Sequence, residues 1–352
     1  MNIKILGISS REEWHKALER VPASRRDVYY TPEYYELNSE EGAEARCFIF
    51  ESGGKTALYP FIVRPLSPLK LMDLKEEYYD IEGVYGYNGV INSEDCPGFA
   101  AEFYQAFGDY CGENNIIAEF TRFHPLLGNR EFSKGTINVL FDRQTVYLDL
   151  SQGHESIWKD SYSSKNRNMI RKAEKNGVRC EITDDEEAYE LFYGLYTETM
   201  KHHNAAEFYF FKKTYFEELF SGFKNISHVV SAVYEDRVIA SAIVFFYGDY
   251  AHYHLAARDG AYSSLGASNY VLDAAVQYAC EKGYRKFHLG GGYMPEDSLF
   301  KFKTDFSKLR ADFHIGKKVW NGDIYEKMCN AWEMKYPEKK DNFAHIFLKY
   351  RR

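Results

Sequence analysis

The chain has 352 residues, of which 45% are hydrophobic and 27% charged, a balance typical of packed globular proteins and not of disordered ones. Its length exceeds one typical domain core, so two domains are expected. The formal net charge of −8 argues against a general DNA or RNA binder. No apolar run reaches the roughly 20 residues of a membrane helix.

The six cysteines form no CxxC pair, and no cysteine lies at a zinc-like spacing from histidine. We therefore expect free thiols and no metal site. The first residues, MNIKILGISSREEW, lack the apolar core of a signal peptide, which predicts a cytoplasmic protein.

In the first half of the chain, two strands are predicted around a Ser52-Gly53-Gly54 turn, followed by a third strand, a helix and a fourth strand. The helix places Phe99, Phe103 and Phe107 on one side. The predicted ranges are 46–50, 56–63, 85–91, 98–110 and 116–123.

The second half repeats this order after a polar helical stretch at 158–176. Three strands are followed by a helix that Ser268 is predicted to cap, and by a strand that stops at Gly290-Gly291-Gly292. The predicted strands are 228–234, 238–247, 250–257 and 284–289. From Tyr325 onward, the tail is predicted to be helical.

Two copies of the order meander, helix, strand indicate a duplicated α+β domain. The fold class predicted is α+β, with two tandem domains that each hold a mixed, mainly antiparallel sheet flanked by helices. The predicted boundaries are 1–150 for the first domain and 151–352 for the second, which includes the C-terminal helix.

Three segments carry a family resemblance. SSKNRNMIRKAEKNGV at 163–178 resembles the basic helix that opens the second domain of Fem-type proteins. HLGGGYMPEDSLFKFKTDF at 288–306 is similar to the family's glycine-rich strand end followed by L-F-x-F-K-x-x-F. YGYNGV at 85–90 and EFTRFHPLLGN at 119–129 resemble first-domain segments.

The resemblance implies tandem GNAT domains and acyl or aminoacyl transfer to an amine. Only residues 200–223 separate two predicted elements of the second domain, which is too short for the helical arm of some Fem proteins. The chain is therefore similar to the armless branch, and tRNA contacts through an arm are not expected.

Acyl transfer to an amine needs a neutral amine, stabilisation of the carbonyl oxygen and protonation of the leaving group. The sequence has no G-x-S-x-G elbow, so direct attack without a covalent intermediate is expected. Lys303, beside Phe302, is the leading catalytic candidate, since the family pattern places an important lysine there. The alternative is a surface lysine on a strand, with Phe302 in the core.

Other candidates are basic or aromatic. Seven basic residues lie between Lys159 and Arg179, and among them Lys165 and Arg167 match the family motif and suit a phosphate-bearing substrate. The alternative is a solvated helix face. Tyr253 and His254, on a predicted strand that lines the cleft in GNAT folds, are catalytic candidates, with buried packing as the alternative. Arg122, Tyr85 and Tyr87 are candidate acceptor-binding residues of the first domain.

The donor site is predicted at the start of the helix near Ser268. Gly266, Ser268 and Asn269 could open a helix N-terminus towards an anion, and Gly291 allows close backbone approach in the cleft. The usual CoA loop signature is incomplete there. No permanently bound cofactor is expected; acyl-CoA or aminoacyl-tRNA is the co-substrate.

Three functions remain open from the sequence. The first is an N-acyltransferase that uses acyl-CoA and a small-molecule, amino-sugar or cell-envelope precursor amine. The second is an aminoacyl-tRNA-dependent aminoacyltransferase of the peptidoglycan type. The third is an inactive binding protein that keeps the fold.

Overall fold

The computed structural model describes residues 1–39, 41–202, 206–294 and 296–352. The chain divides into two compact units. Unit 1 holds residues 1–142 and 312–352, and unit 2 holds residues 143–311. None of the helices in the described ranges is both long and apolar enough to cross a membrane.

Unit 1 is built on a mixed sheet in which an antiparallel meander is followed by a helix and a parallel strand. Its strands are β1 (Asn2–Gly7), β2 (Glu44–Ser52), β3 (Lys55–Pro65), β4 (Tyr79–Glu82), β5 (Ile91–Asn92) and β6 (Ile116–Arg122). Its helices are α1 (Arg11–Glu19), α2 (Pro32–Leu37), α3 (Pro97–Glu113) and α4 (Arg130–Ser133). Pro97 starts α3, where its missing N–H costs no hydrogen bond, and the helix buries Phe99, Phe103 and Phe107 in the unit 1 core.

Unit 2 repeats that order. Its strands are β7 (Asn138–Asp149), which lies in unit 2 from Arg143 onward, β8 (Arg179–Thr183), β9 (Ser227–Tyr234), β10 (Arg237–Tyr247), β11 (Tyr250–Arg258) and β12 (Lys286–Gly290). Its helices are α5 (Gly153–Ser156), α6 (Ser164–Lys175), α7 (Glu186–His202), α8 (Lys213–Gly222), α9 (Ala267–Glu281) and α10 (Ser298–Thr304). Helices α6 and α9 pack together, and α9 covers β9 and β10.

The duplicated order predicted from the sequence is confirmed. In unit 1, β6 pairs in parallel with β4, the third strand of its meander; in unit 2, β12 pairs in parallel with β11. The strand β13 (Arg310–Val319) completes the first sheet by pairing antiparallel with β6 through residues 315–319. In unit 2, β7 pairs antiparallel with β12. Each unit is thus a mixed, mainly antiparallel sheet flanked by helices.

The C-terminal segment packs differently from the sequence-based division. Residues 312–352, with α11 (Gly322–Lys335) and α12 (Lys340–Phe343), belong to compact unit 1, whereas the predicted second domain included them. The physical reason is that β13 completes the unit 1 sheet, and that Trp332 and Tyr350 are buried beside Ile117. The boundaries 1–150 and 151–352 stay a prediction about the duplicated domains.

Two local predictions are wrong. The strand expected at 85–91 is a loop, because Gly86 and Gly89 have φ of +100° and +96°, and the third meander strand is β4 instead. The N-cap of α9 is Gly266 and not Ser268. Gly266 has φ of +79°, and a Cβ there would lie 2.4 Å from the Met169 carbonyl oxygen of α6, so only glycine fits.

Candidate active site in unit 2

A β-bulge on β11 sets the side chains near the middle of the unit 2 sheet. Leu255 pairs with Ile243 and Tyr253 pairs with Val244, so His254 is an extra residue with no partner on β10. Bulges re-aim side chains and are common beside active sites. The strict alternation of side chains along β11 is therefore interrupted at His254.

His254 is poorly suited to act as a base. Its Nε2 lies 2.7 Å from the Tyr215 hydroxyl of α8, and its ring packs 4.3 Å from the Phe245 ring centroid. Burial, with a smaller effect from His252, lowers the pKa of His254 to about 3. A general base works best when its pKa lies near the working pH, so this geometry favours a positioning role.

Tyr253 is suited to donate a proton and not to accept one. Its ring packs against the unit 2 core, and burial raises its pKa, an effect that Arg258 partly offsets. The phenol therefore stays protonated at neutral pH. A protonated hydroxyl at this position can hydrogen-bond to a developing oxyanion or leaving group.

Each of the three glycines in the turn after β12 is required for a different steric reason. At Gly290, where φ is +76°, an added Cβ would lie 3.2 Å from Lys303 Nζ. A Cβ on Gly291 would lie 3.3 Å from the Gln144 carbonyl oxygen of β7, and one on Gly292 would lie 2.3 Å from a carboxylate oxygen of Asp297. The turn can approach both β7 and α10 only because it has no side chains.

The side chain of Lys303 lies against that turn. It belongs to helix α10, so the alternative of a surface lysine on a strand is wrong, as is the extended conformation that it assumed. The residue is only 7% exposed, and its Nζ donates to the Gly291 carbonyl oxygen at 2.7 Å. An ammonium has three N–H donors, so two remain for a ligand at this position.

Burial lowers the pKa of Lys303 to about 8, although the Asp297 carboxylate acts in the opposite direction. Lys303 is therefore mainly a cation at pH 7, but one that loses its proton far more readily than an exposed lysine. A buried cation with donors left over is suited to stabilise negative charge on an acyl oxygen or a leaving group.

The start of α9 forms a small cavity with the ends of β10 and β11. Its lining includes Arg258, Gly266, Ser268, Asn269 and Phe302, so three predicted donor-site residues and one predicted substrate-site residue lie together. The Asn269 side chain donates to Asn166 Oδ1 of α6 at 2.8 Å. The N–H groups at the start of a 15-residue helix favour an anion in this cavity.

Arg167 does not reach into this cavity with a free guanidinium. Its Nη1 donates to three backbone carbonyls, those of Trp158, Lys159 and Tyr162, and its Nη2 to the Ser164 hydroxyl. The family motif residue therefore fixes the turn before α6. Lys165 is 79% exposed in its side chain and pairs loosely with Asp305, at 3.5 Å.

The predicted acceptor residues of unit 1 surround one loop. Arg122 donates to the carbonyl oxygens of Gly83, Val84 and Gly86 at 2.7 to 3.2 Å, so it holds the loop closed. Tyr85 and Tyr87 are half-buried on that loop, and the Tyr87 ring packs 5.2 Å from Tyr29. These contacts show packing roles for Arg122 and Tyr87.

Sequence reasoning missed four residues of the unit 2 site. They are Asn166, Tyr215, Arg258 and Asp297. Asp297 could have been found from the sequence, because an aspartate directly before a helix, three residues ahead of Phe300, is a common N-cap. Tyr215 had none, since its contact with His254 joins residues 39 positions apart.

Comparison with known proteins agrees with this geometry. Residues 161–304 match the family model of the acetyltransferase (GNAT) domain, which spans the bulged strand, the α9 cavity and Lys303. These residues are therefore a GNAT acetyltransferase domain, and the chain as a whole has the fold of FemX. No curated protein sequence matches it.

Three solved structures show the same fold as this chain. FemX matches with a TM-score of 0.71 at 12% identity, covering 93% of this chain and 99% of that one. The C-terminal domain of a putative lysylphosphatidylglycerol synthetase from Agrobacterium fabrum has a TM-score of 0.54 at 15% identity, with 93% and 96% covered. A tandem GNAT protein from the clavulanic acid biosynthesis pathway has a TM-score of 0.51 at 10% identity, with 90% and 98% covered.

Proposed function

We propose that the protein transfers an acyl group from acyl-CoA to the amine of a small-molecule, amino-sugar or cell-envelope precursor acceptor. The observation that carries this proposal is Lys303, a buried cation whose Nζ has one acceptor within the described part of the chain, the Gly291 carbonyl oxygen. In the same unit, the N-terminus of α9 offers N–H groups for the phosphates of the donor.

The reaction follows from these positions. A neutral amine attacks the thioester carbon, and the Lys303 ammonium stabilises the negative charge that develops on the carbonyl oxygen. The C–S bond then breaks and the attacking amine loses its proton to solvent. The Tyr253 hydroxyl passes its proton to the departing thiolate and is reprotonated from solvent, so that the enzyme returns to its starting state. His254 stays neutral and holds the bulged strand through Tyr215.

Arg258 supports a phosphate-bearing donor. It is exposed at the cavity that Gly266, Ser268 and Asn269 line. The Asp259 carboxylate, which lines the same cavity, pairs with Arg237 at 2.7 Å. A guanidinium in this position suits bidentate contact with a pyrophosphate.

A second candidate, aminoacyl transfer from tRNA, is favoured by the exposed face of α6. Lys165, Arg171, Lys172 and Lys175 are exposed along this helix, with Glu174 as the one exposed acid among them. Such a face suits the phosphate backbone of an RNA, and its binding would weaken steeply with salt.

Titration calorimetry with acetyl-CoA, CoA and a charged tRNA pool, at low and moderate salt, separates the candidates. We expect CoA species to bind and to raise the melting temperature, and Arg258→Met to weaken that binding about tenfold or more. If only charged tRNA binds, if that binding weakens with salt, and if a double variant with Lys172→Ala and Lys175→Ala no longer binds it, the second candidate replaces the first. Binding of neither would favour an inactive module.

A further inference from the structure

Asp297 joins the glycine-rich turn to the helix that carries Lys303. One oxygen of its carboxylate accepts from Phe300 N at 2.7 Å and caps α10. The other oxygen accepts from Met294 N at 2.8 Å and so ties the preceding turn to the helix. Burial alone would raise the pKa of this carboxyl, but these backbone donors hold it below its usual value.

The turn and the helix meet at two further points. Lys303 Nζ donates to Gly291 O at 2.7 Å, and Gly292 has no room for a Cβ because Asp297 occupies that space. Arg143 of β7 donates to the carbonyl oxygens of Gly292 and Tyr293. The position of Gly291 O relative to Lys303 Nζ therefore depends on how firmly the turn is tied to α10.

We propose that Asp297 is a positioning residue that fixes Lys303 against the glycine-rich turn and sets its charge. This inference rests on the proposed function only for its catalytic consequence. The two carboxylate oxygens are both needed: one fixes the start of the helix, and the other fixes the turn that supplies the acceptor of Lys303.

The charges around Lys303 agree with this role. The charged or titratable side chains on the elements packed around it include Glu296 and Asp297 of the turn, Lys301 and Asp305 of the α10 segment, Arg143, Tyr147 and Asp149 of β7, and Lys286 and His288 of β12. Asp305 is already bound by the Ser163 hydroxyl and Lys165. Asp297 is the charged group that opposes the loss of the Lys303 proton.

The Asp297→Asn variant tests this positioning role. Its amide oxygen can still accept from Phe300 N, whereas the second acceptor oxygen and the negative charge are removed. Asp185→Asn is a matched control: Asp185 likewise accepts from a backbone N–H three residues on, that of Ala188, at 2.9 Å, at the start of α7. Trace labelling of lysines with an amine-reactive reagent across pH gives the titration midpoint of Lys303 without any substrate. Thermal melting and thiol release from acetyl-CoA are measured in parallel.

We expect Asp297→Asn to lower the Lys303 midpoint by on the order of half a pH unit or more. We expect kcat to fall about tenfold with KM little changed, because a small displacement of a catalytic group is costly. Asp185→Asn should leave the midpoint and kcat unchanged. An unchanged midpoint in Asp297→Asn, or an equal loss of kcat in both variants, overturns the inference. If Lys303 proves dispensable for transfer while the midpoint still shifts, the proposed function fails and the positioning role stands.

Discussion

The two units share one order of elements, but the strand that follows the helix ends in a different local structure in each unit. In unit 1, β6 ends at Arg122, whose guanidinium closes onto three loop carbonyls. In unit 2, β12 ends in three glycines that leave space for the Lys303 ammonium. The same topological position therefore seals a loop in one copy and holds a reactive cation in the other.

The N-termini of the two corresponding helices, α3 in unit 1 and α9 in unit 2, also differ. Helix α3 begins at Cys96-Pro97, directly after Asp95, which pairs with Arg25. Helix α9 begins at Gly266 beside a cavity that Arg258 lines. The N–H groups at the start of α9 and the nearby Arg258 favour an anion, so we propose the donor site in unit 2. The predictions below test that difference from the largest effect to the smallest.

The largest expected effect is on turnover. Lys303→Met should reduce acyl transfer by about a hundredfold or more, the size seen when one donor to a developing oxyanion is removed. Thiol release from acetyl-CoA with a panel of amine acceptors measures it. Lys301→Met is the control, because Lys301 is exposed on the same helix. Equal activity of both variants would remove Lys303 from the mechanism.

The same variant should be more stable than the wild type at neutral pH. The folded-state pKa of Lys303, about 8, lies below that of an exposed lysine, so folding opposes its protonation. The destabilisation is complete below pH 8 and disappears as pH rises towards the unfolded value. We expect Lys303→Met to gain on the order of 2–3 kcal/mol at pH 7 and much less near pH 10. Denaturant unfolding at both pH values measures it, and a loss of stability at pH 7 would contradict it.

A glycine pair compares the two helix starts directly. Gly266→Ala should cost about 2–4 kcal/mol and abolish donor binding, because its φ is positive and its Cβ would strike the Met169 carbonyl. Gly98, in the first turn of α3, has nothing within 4 Å of an added Cβ, so Gly98→Ala should be neutral or stabilising by a few tenths of a kcal/mol. Melting curves and acetyl-CoA titration check both. Similar behaviour of the two variants would contradict the difference between the helix starts.

The smallest expected effect on donor binding concerns the closed loop of unit 1. Arg122→Met leaves three carbonyl oxygens without their donor and should destabilise the protein by about 2–3 kcal/mol. We expect acetyl-CoA affinity to stay within twofold of the wild type, since this residue holds a loop in unit 1. Loss of acetyl-CoA binding in a variant that still folds would contradict that assignment.

Much of the architecture could be predicted from the sequence, because the strands and helices follow from the local periodicity of apolar residues. Apolar alternation gave β2, β3, β9 and β10, and the 3.6-residue spacing of phenylalanines gave α3. The strand predicted at 85–91 is a loop up to Val90, because positive φ at Gly86 and Gly89 overrides the β-prone tyrosines.

The site was less predictable, because roles depend on partners far along the chain. Lys303 was chosen from a family pattern, yet its burial follows from a seven-residue helix and a turn that no periodicity marks. The sequence predicts Arg167 and Arg122 as substrate-binding residues, and in the structure both guanidinium groups donate to backbone carbonyls. Hydrogen bonds of this kind cannot be read from residue type alone.

The most direct test of the assignment to unit 2 is a crystal structure of the protein with a non-hydrolysable acyl-CoA analogue. We expect the pyrophosphate at the backbone N–H groups that follow Gly266, with Arg258 beside it, and the acyl oxygen within hydrogen-bond distance of Lys303 Nζ. A pyrophosphate bound at the start of α3, or an acyl group remote from Lys303, would contradict it.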